Sequence, residues 1–414
     1  MTATPSTRPE SMANLRLTQF ILMACIISIG MGQFIVFAVL APLIRSVGLQ
    51  EIHGGLILSF SSVIYALSSG VWGRVSSVYG RRKVMMIGLM GYCIGTLLFA
   101  LVFFSGLQLW MQGTLLFLSL CLARMLQSIL MGATAPAATA YMADITSPEQ
   151  RVKGMGLLGS AHSLGTILGP AVAAPLILLH LLAPLLAASV ITLLTALIVW
   201  KALPGQPQTN KTNVHIGREI VNTVKSYFDA RYAQVLLIGV LMFMSYAMCQ
   251  QTVGYLVQDR LLISPQETAT IVAHAFICSA VFALIGQFVV VAKLRLASNT
   301  LLLIGLPLML VGYLVLLQLT VERDALIAFS FIGFGFGLAM PGFSASASLS
   351  VSAEEQGAVA GVIAGAPALG FILGPTLGAM FYETHEMAPY GAAALLNGLL
   401  TLAVLRKQLA SGAG

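Results

Sequence analysis

Arg124 is the only charged residue between Lys83 and Asp144, in a stretch made otherwise of apolar and small uncharged polar residues. Gln127 and Ser128 follow at spacings of three and four, which puts them on the same helical face. The guanidinium lies roughly 15 Å, about ten residues, from the outer end of its apolar run. A charge at that depth is expensive and must face a cavity or a partner. Two roles fit it. It could bind substrate or serve proton coupling, or it could be a structural cation bonded to carbonyls and amides of neighbouring helices. No acid is placed to neutralise it. Glu10 is in the amino-terminal tail, and Glu51, Asp259, Glu267, Glu322, Asp324, Glu383 and Glu386 fall at one edge of the apolar runs. Asp144, Glu149, Glu219, Asp229, Glu354 and Glu355 fall at the other.

Further polar groups sit inside apolar runs. Gln33 is the deep polar residue of the first, Gln250 and Gln251 lie with Tyr246 and Tyr255 in the seventh, and Phe334 and Phe336 mark the tenth. These are the expected cavity groups. His162, a third of the way into the fifth run, is either a packing residue or a group that changes charge near neutral pH. Asp259 could take up protons if the seventh run dips inward. His274 is expected near the membrane interface. A cationic centre without an anion disfavours permanent cations and favours anionic or zwitterionic compounds. Cys25, Cys93, Cys121, Cys249 and Cys278 all lie in apolar runs, form no CxxC pair, and read as packing residues.

The elements that carry these groups are set by the charges. Of 414 residues, 21 are Lys or Arg and 14 are Asp or Glu, together 8%. A soluble domain carries about 25%. Charge-free runs cover 17–44, 52–73, 232–258, 268–292, 296–321, 325–353, 356–382 and 387–405, each long enough to cross a bilayer. Two double-length stretches, 84–143 and 154–200, divide near Ser105–Gly113 and His180–Pro184. The total is twelve. Their continuous apolar character predicts helices rather than barrel strands. The first run is too long for a cleaved signal. Seventeen of the Lys and Arg fall on one side and three (Arg45, Arg260, Arg323) on the other, which puts both termini in the cytoplasm. No soluble basic face exists for nucleic acid.

The chain divides into a tail (1–16), a six-helix half (17–200), a polar linker (201–231) with an amphipathic helix near 214–227, a second half (232–405) and a tail (406–414). The halves repeat. Gly165-Thr-Ile-Leu-Gly-Pro170 matches Gly370-Phe-Ile-Leu-Gly-Pro375 at an offset of 205, bringing Gly169 onto Gly374. The same offset carries Gly132 to Gly337, Pro136 to Pro341 and Gly156 to Gly361. Parallel six-span repeats are the architecture of major facilitator transporters.

The loop after the second span reads Gly73-Arg-Val-Ser-Ser-Val-Tyr-Gly-Arg-Arg-Lys83. It resembles the signature loop of the major facilitator superfamily at Gly73, Gly80, Arg81, Arg82 and Lys83, with Ser77 where the family has aspartate. Arg124-Met-Leu-Gln127-Ser128 is similar to the family's fourth-span motif, with Ser128 in place of glycine. Gly165–Pro170 resembles the fifth-span motif of its twelve-span drug:proton antiporters, with Ala173 and Ala174 for the closing glycines.

The resemblance implies an all-α membrane protein of twelve transmembrane helices in two six-helix pseudo-symmetric bundles. It implies a secondary active transporter, not an enzyme, that exports a small amphipathic or anionic compound by alternating access. A carboxylate siderophore or similar acidic metabolite is the alternative cargo. Gly73–Lys83 would latch one face, or merely anchor it, and Gly165–Pro170 would let the fifth span bend. The expected partners are a small molecule and the bilayer of a plasma membrane, a bacterial inner membrane above all. The chain is expected to be monomeric and to use a proton gradient, without metal or cofactor. Three rivals are an uptake symporter, a channel and a membrane enzyme; for the last there is no HExxH, nucleophile elbow or clustered His/Asp set.

Overall fold

The computed structural model describes residues 12–205, 217, 233–287, 296–349 and 356–412. These form α1 (Met12–Ser46), α2 (Glu51–Tyr79), α3 (Arg81–Leu107), α4 (Gly113–Met131), α5 (Thr134–Ile145), α6 (Pro148–Ile177) and α7 (Ala183–Ala202) in the first half. The second half contains α8 (Ala233–Leu261), α9 (Pro265–Leu284), α10 (Ser298–Leu316), α11 (Glu322–Leu349), α12 (Gln356–Thr384) and α13 (Ala388–Gly412). The fourth span breaks at Gly132 into α4 and α5. Counting them together, 12 helices are long and apolar enough to cross a membrane. An even number of described spans returns the start of α1 and the end of α13 to one face, called here the terminal face; the other is the far face.

Helix ends do not coincide with the charge boundaries. α1 starts at Met12 and includes Arg16, and α13 runs through Arg406 to Gly412. Charge marks where lipid ends, whereas a helix continues into water until its backbone finds another partner. α6 runs unbroken through Pro170 and Pro175. The linker and its expected amphipathic helix lie, apart from its first residues and Gly217, outside the described residues.

The internal repeat has a packing role. A Cβ on Gly165 would stand 2.8 Å from the Ile27 carbonyl oxygen, and one on Gly169 2.5 Å from that of Met31. In the second half Gly370 packs on Phe243, and a Cβ on Gly374 would stand 2.8 Å from the Met244 carbonyl oxygen. The motif therefore seats α6 on α1 and α12 on α8 with backbones in near contact, as small residues do in lipid. The halves meet through α2 on α12 and α6 on α9, pairs that exchange under the pseudo-twofold axis.

The two halves share a core toward one face only. One apolar cluster joins Ile44 and Val47 to Leu256, Val257 and Tyr390 near the far face. A second, with Leu22, Val84, Ala138 and Val199, belongs to the first half alone. Polar contacts close the same far face. Arg45 of α1 donates to Asp259 of α8 through both terminal nitrogens (2.5 and 2.8 Å), and to Glu51 at 2.6 Å. Tyr382 donates to Asp259 at 2.5 Å, Thr376 to Ser59 at 2.7 Å, and the Ile52 amide to Glu383 at 3.1 Å. Gly55 lets the Pro375 carbonyl approach to 2.6 Å of where a Cβ would be.

Gly169→Val should cost ~1–3 kcal/mol by overpacking and lower the thermal midpoint of the purified protein. Gly159→Ala, whose Cβ would meet nothing within 4 Å, should leave it unchanged. Asp259→Asn removes a part-exposed ion pair worth ~1 kcal/mol, about a fivefold change in population. Spin labels on the α1–α2 and α12–α13 connections should then show a larger long-distance fraction. An unchanged distance distribution would show that the pair does not hold this face shut.

Candidate functional site

A cavity of about 920 Å³ lies between the halves. Its walls come from α1, α2, α4, α5 and α6 on one side and from α8, α9, α11 and α12 on the other. It reaches Gly156, Gln287 and Ser344 near the terminal face, and stops at Phe37, Leu58 and Pro375 toward the far face. The Arg45 cluster lies about 12 Å beyond Phe37 at helical rise. The conformation is thus sealed on the far side and extends its cavity toward the terminal side.

Arg124 sits in the wall at 2% exposure. One terminal nitrogen donates to the Gln33 side-chain oxygen at 2.6 Å, and the other donates to that of Gln127. Gln127 in turn donates to Thr96 of α3. The Phe99 ring lies 5.8 Å from the guanidinium carbon, and the Nε has no partner. Amide dipoles and a ring face surround the charge, and no described carboxylate bonds to it. Arg124 thus ties α1 and α3 to α4, and it also borders the cavity. Ser128, on the same helical face, pairs instead with Ser61 of α2 at 2.7 Å.

The two walls differ. The first half presents Arg124, Gln33, His162, Ser62, Ser160 and Tyr65. His162 is exposed to the cavity, against Gly30. The second half presents Phe243, Tyr246, Phe276, Phe336, Phe371 and Met340; its polar lining groups, Tyr246, Ser279, Gln287 and Ser344, carry no charge. Tyr246 stacks on Phe336 with centroids 4.7 Å apart. Phe34–Phe276 and Phe37–Phe371 contacts, at 6.5 and 6.1 Å, floor the cavity across the two halves.

Five of the residues singled out in the sequence, Arg124, Gln33, His162, Tyr246 and Phe336, line it together. Gln127 stands behind Arg124. Gln250 and Gln251 do not line the cavity: they are 1% and 3% exposed, and Gln251 packs beside Gly54 of α2. Helical phase explains this. Tyr246 and Gln250 are four apart on one face, but the cavity ends at Tyr246, and Gln250 lies a turn further toward the closed far face, while Gln251 is turned off that stripe. Phe336 lines the cavity, whereas Phe334 and Tyr255 do not. Asp259 has not dipped inward; it belongs to the far-face cluster. His274, 3.8 Å from Glu322, sits at that face as expected. Sequence reasoning missed Phe34, Phe37, Tyr65, Phe276 and Phe371. Only the three-residue spacing of Phe34 and Phe37 offered a signal.

Arg81 and Arg82 of the signature loop bond inside the first half. Gly80, with φ +95°, turns α2 into α3, and Gly73 packs near Pro136. Arg81 reaches Asp144 at 3.3 Å and the Ser76 hydroxyl at 2.6 Å. Arg82 donates to the carbonyl of Trp200 at the end of α7. Ser77, lacking a carboxylate, donates to its own helix at the Arg74 carbonyl, 2.7 Å away. Pro170 and Gly374 are buried, and Pro375 borders the cavity.

Known proteins share this sequence and this architecture. Over 387 residues the chain is 26% identical to a class C tetracycline resistance protein of Escherichia coli, covering 91% of this chain and 92% of that protein. It is 25% identical over 379 residues to multidrug resistance protein 1 of Bacillus subtilis (strain 168), covering 91% and 92%. Among solved structures, a point mutant of the nucleoside transporter NupG superposes with a TM-score of 0.74 at 12% identity, over 94% of this chain and 99% of that one. The human organic anion transporter MFSD10 (TETRAN) gives 0.66 at 18% identity, over 96% and 100%. Residues 22–375 match the family described as Major Facilitator Superfamily. This chain belongs to that superfamily and is a multi-pass membrane transporter, not an enzyme.

Proposed function

We propose that this transporter exports small amphipathic organic compounds bearing an acidic group. It works by alternating access in the plasma membrane, a bacterial inner membrane, with both termini in the cytoplasm. The observation that carries this reading is the polarity of the cavity. Arg124 is its one permanent charge among the described lining residues, and an uncharged, largely aromatic wall faces it. An acid would replace the Gln33 dipole, or add to it, as the partner of a desolvated guanidinium. A ring or alkyl body would lie against Phe243, Phe276, Phe336 and Phe371. The drug resistance names of its relatives support the outward direction.

Energetics favour the same sense. An anion leaving an inside-negative compartment moves with the membrane potential, by about 2.3 kcal/mol per charge at 100 mV. Proton antiport is the second source of energy in this reading. His162 is the cavity group whose type changes charge near neutral pH. A carboxylate siderophore is one cargo that meets these requirements; an acidic amphipathic drug is another.

Counterflow in proteoliposomes, using organic anions and cations with and without pH gradients and imposed potentials, tests the proposal. Organic anions should exchange, and Arg124→Ala should reduce that exchange by at least about tenfold, the scale of losing a charge-assisted pair. Rapid exchange of a bulky quaternary ammonium compound, unaffected by Arg124→Ala, would overturn the anion reading. His162→Ala should abolish any response to the pH gradient while leaving the response to potential. A pH response that persists in that variant places proton coupling elsewhere.

A further inference from the structure

Lys83 has a place in the structure that the signature loop does not explain. Its neighbours are committed: Arg81 to Asp144 and Ser76, Arg82 to the Trp200 carbonyl. Lys83 is exposed and borders a second cavity of about 640 Å³. This groove shares no lining residue with the central one. Its wall is apolar: Ile64, Leu67, Val71 and Val75 of α2, then Val84 and Ile87 of α3. The Trp72 indole is fixed within it by donating to the Ile129 carbonyl at 2.6 Å.

The groove is shaped along the membrane normal. Its α2 lining runs from Tyr79, at the terminal-face end, back to Ile64, roughly 22 Å at helical rise. Ile87 and Ile129 are 43% and 40% exposed on spanning helices, where the neighbouring medium is lipid. The polar side chains along this length, Ser68 and Trp72, already donate to backbone carbonyls, so a soluble ligand would find a charged group only at the mouth, on Lys83. We propose that the groove holds one acyl chain of an anionic glycerophospholipid, with the headgroup phosphate on Lys83. Charge complementarity selects this occupant: the first turn of α3 contains Arg81, Arg82 and Lys83 and no acid. A chain in the groove buries apolar surface, and the interfacial ammonium distinguishes an anionic headgroup from a zwitterionic one.

Trp72 supplies the test. With Trp110 and Trp200 replaced by Phe in the full chain, Trp72 is the remaining indole. The protein is reconstituted in vesicles of phosphatidylcholine containing increasing fractions of chain-brominated phosphatidylglycerol or chain-brominated phosphatidylcholine. Brominated phosphatidylglycerol should quench Trp72 at about fivefold lower mole fraction, the preference one interfacial Lys provides. Lys83→Gln should remove that preference, and Val71→Phe, which fills the groove, should weaken quenching by both lipids. Inorganic phosphate at matched ionic strength should not relieve the quenching, because it cannot occupy the chain site. Equal quenching by the two lipids in the parent protein would overturn the proposal. So would a preference that survives Lys83→Gln, quenching indifferent to Val71→Phe, or displacement by inorganic phosphate alone.

Discussion

A guanidinium held out of water with no acid beside it constrains the rest of this structure. The cost of burying Arg124 is offset by the Gln33 and Gln127 oxygens and by the Phe99 ring. Breaking any of these leaves an uncompensated charge in a medium of low dielectric. α1, α3 and α4 are therefore tied together at the depth where the cavity passes. The same arrangement leaves the positive charge unneutralised. A structural cation and a binding cation are often treated as rivals, yet the two are compatible in one side chain, because dipoles stabilise a charge without cancelling it.

The second constraint is the segregation of carboxylates to the faces. With no acid among the described residues of the cavity wall, no carboxylate there pairs directly with Arg124. The Arg45–Asp259 pair joins the halves at the far face, while Arg81 and Arg82 bond within the first half at the terminal face. The substitution of Ser77 for aspartate fits this division. Its hydroxyl turns back to its own helix and takes no part in holding the basic run.

Much of the fold was legible because lipid makes charge expensive. The gaps between charges gave the twelve spans, and the Gly-Pro repeat gave the two halves. Arg124 with Gln127 was legible too, since a spacing of three on one helix needs no tertiary knowledge. Helix phase was not. In a soluble helix polarity identifies the buried face, but in lipid both the packed and the lipid-facing sides are apolar. Nothing local distinguishes Gln250, buried beyond the cavity, from Gln33, which lines it. The pairing of Arg45 with Asp259 spans 214 residues and depends on how two bundles meet. The aromatic floor formed by Phe34, Phe37, Phe276 and Phe371 is invisible for the same reason.

The repeat makes the two halves alike in backbone, but the cavity exploits their differences. Gly165/Gly169 and Gly370/Gly374 do the same work in α6 and α12, seating each on its neighbour. The offset of 205 that joins them carries Arg124 to Phe329, a buried ring in α11. The position that holds the charge in one half therefore holds a hydrocarbon face in the other. Pseudo-symmetry provides two surfaces that can rock against each other, but the ring at this position stands behind the cavity wall, packed on Phe276 with centroids 5.3 Å apart, whereas Arg124 borders the space itself. An exchange of Phe329 for a second Arg would restore the symmetry. It would also bury a second charge in the apolar core behind Phe276, a cost that Arg124 meets only through its amide partners, which is a physical reason for the halves to have diverged here.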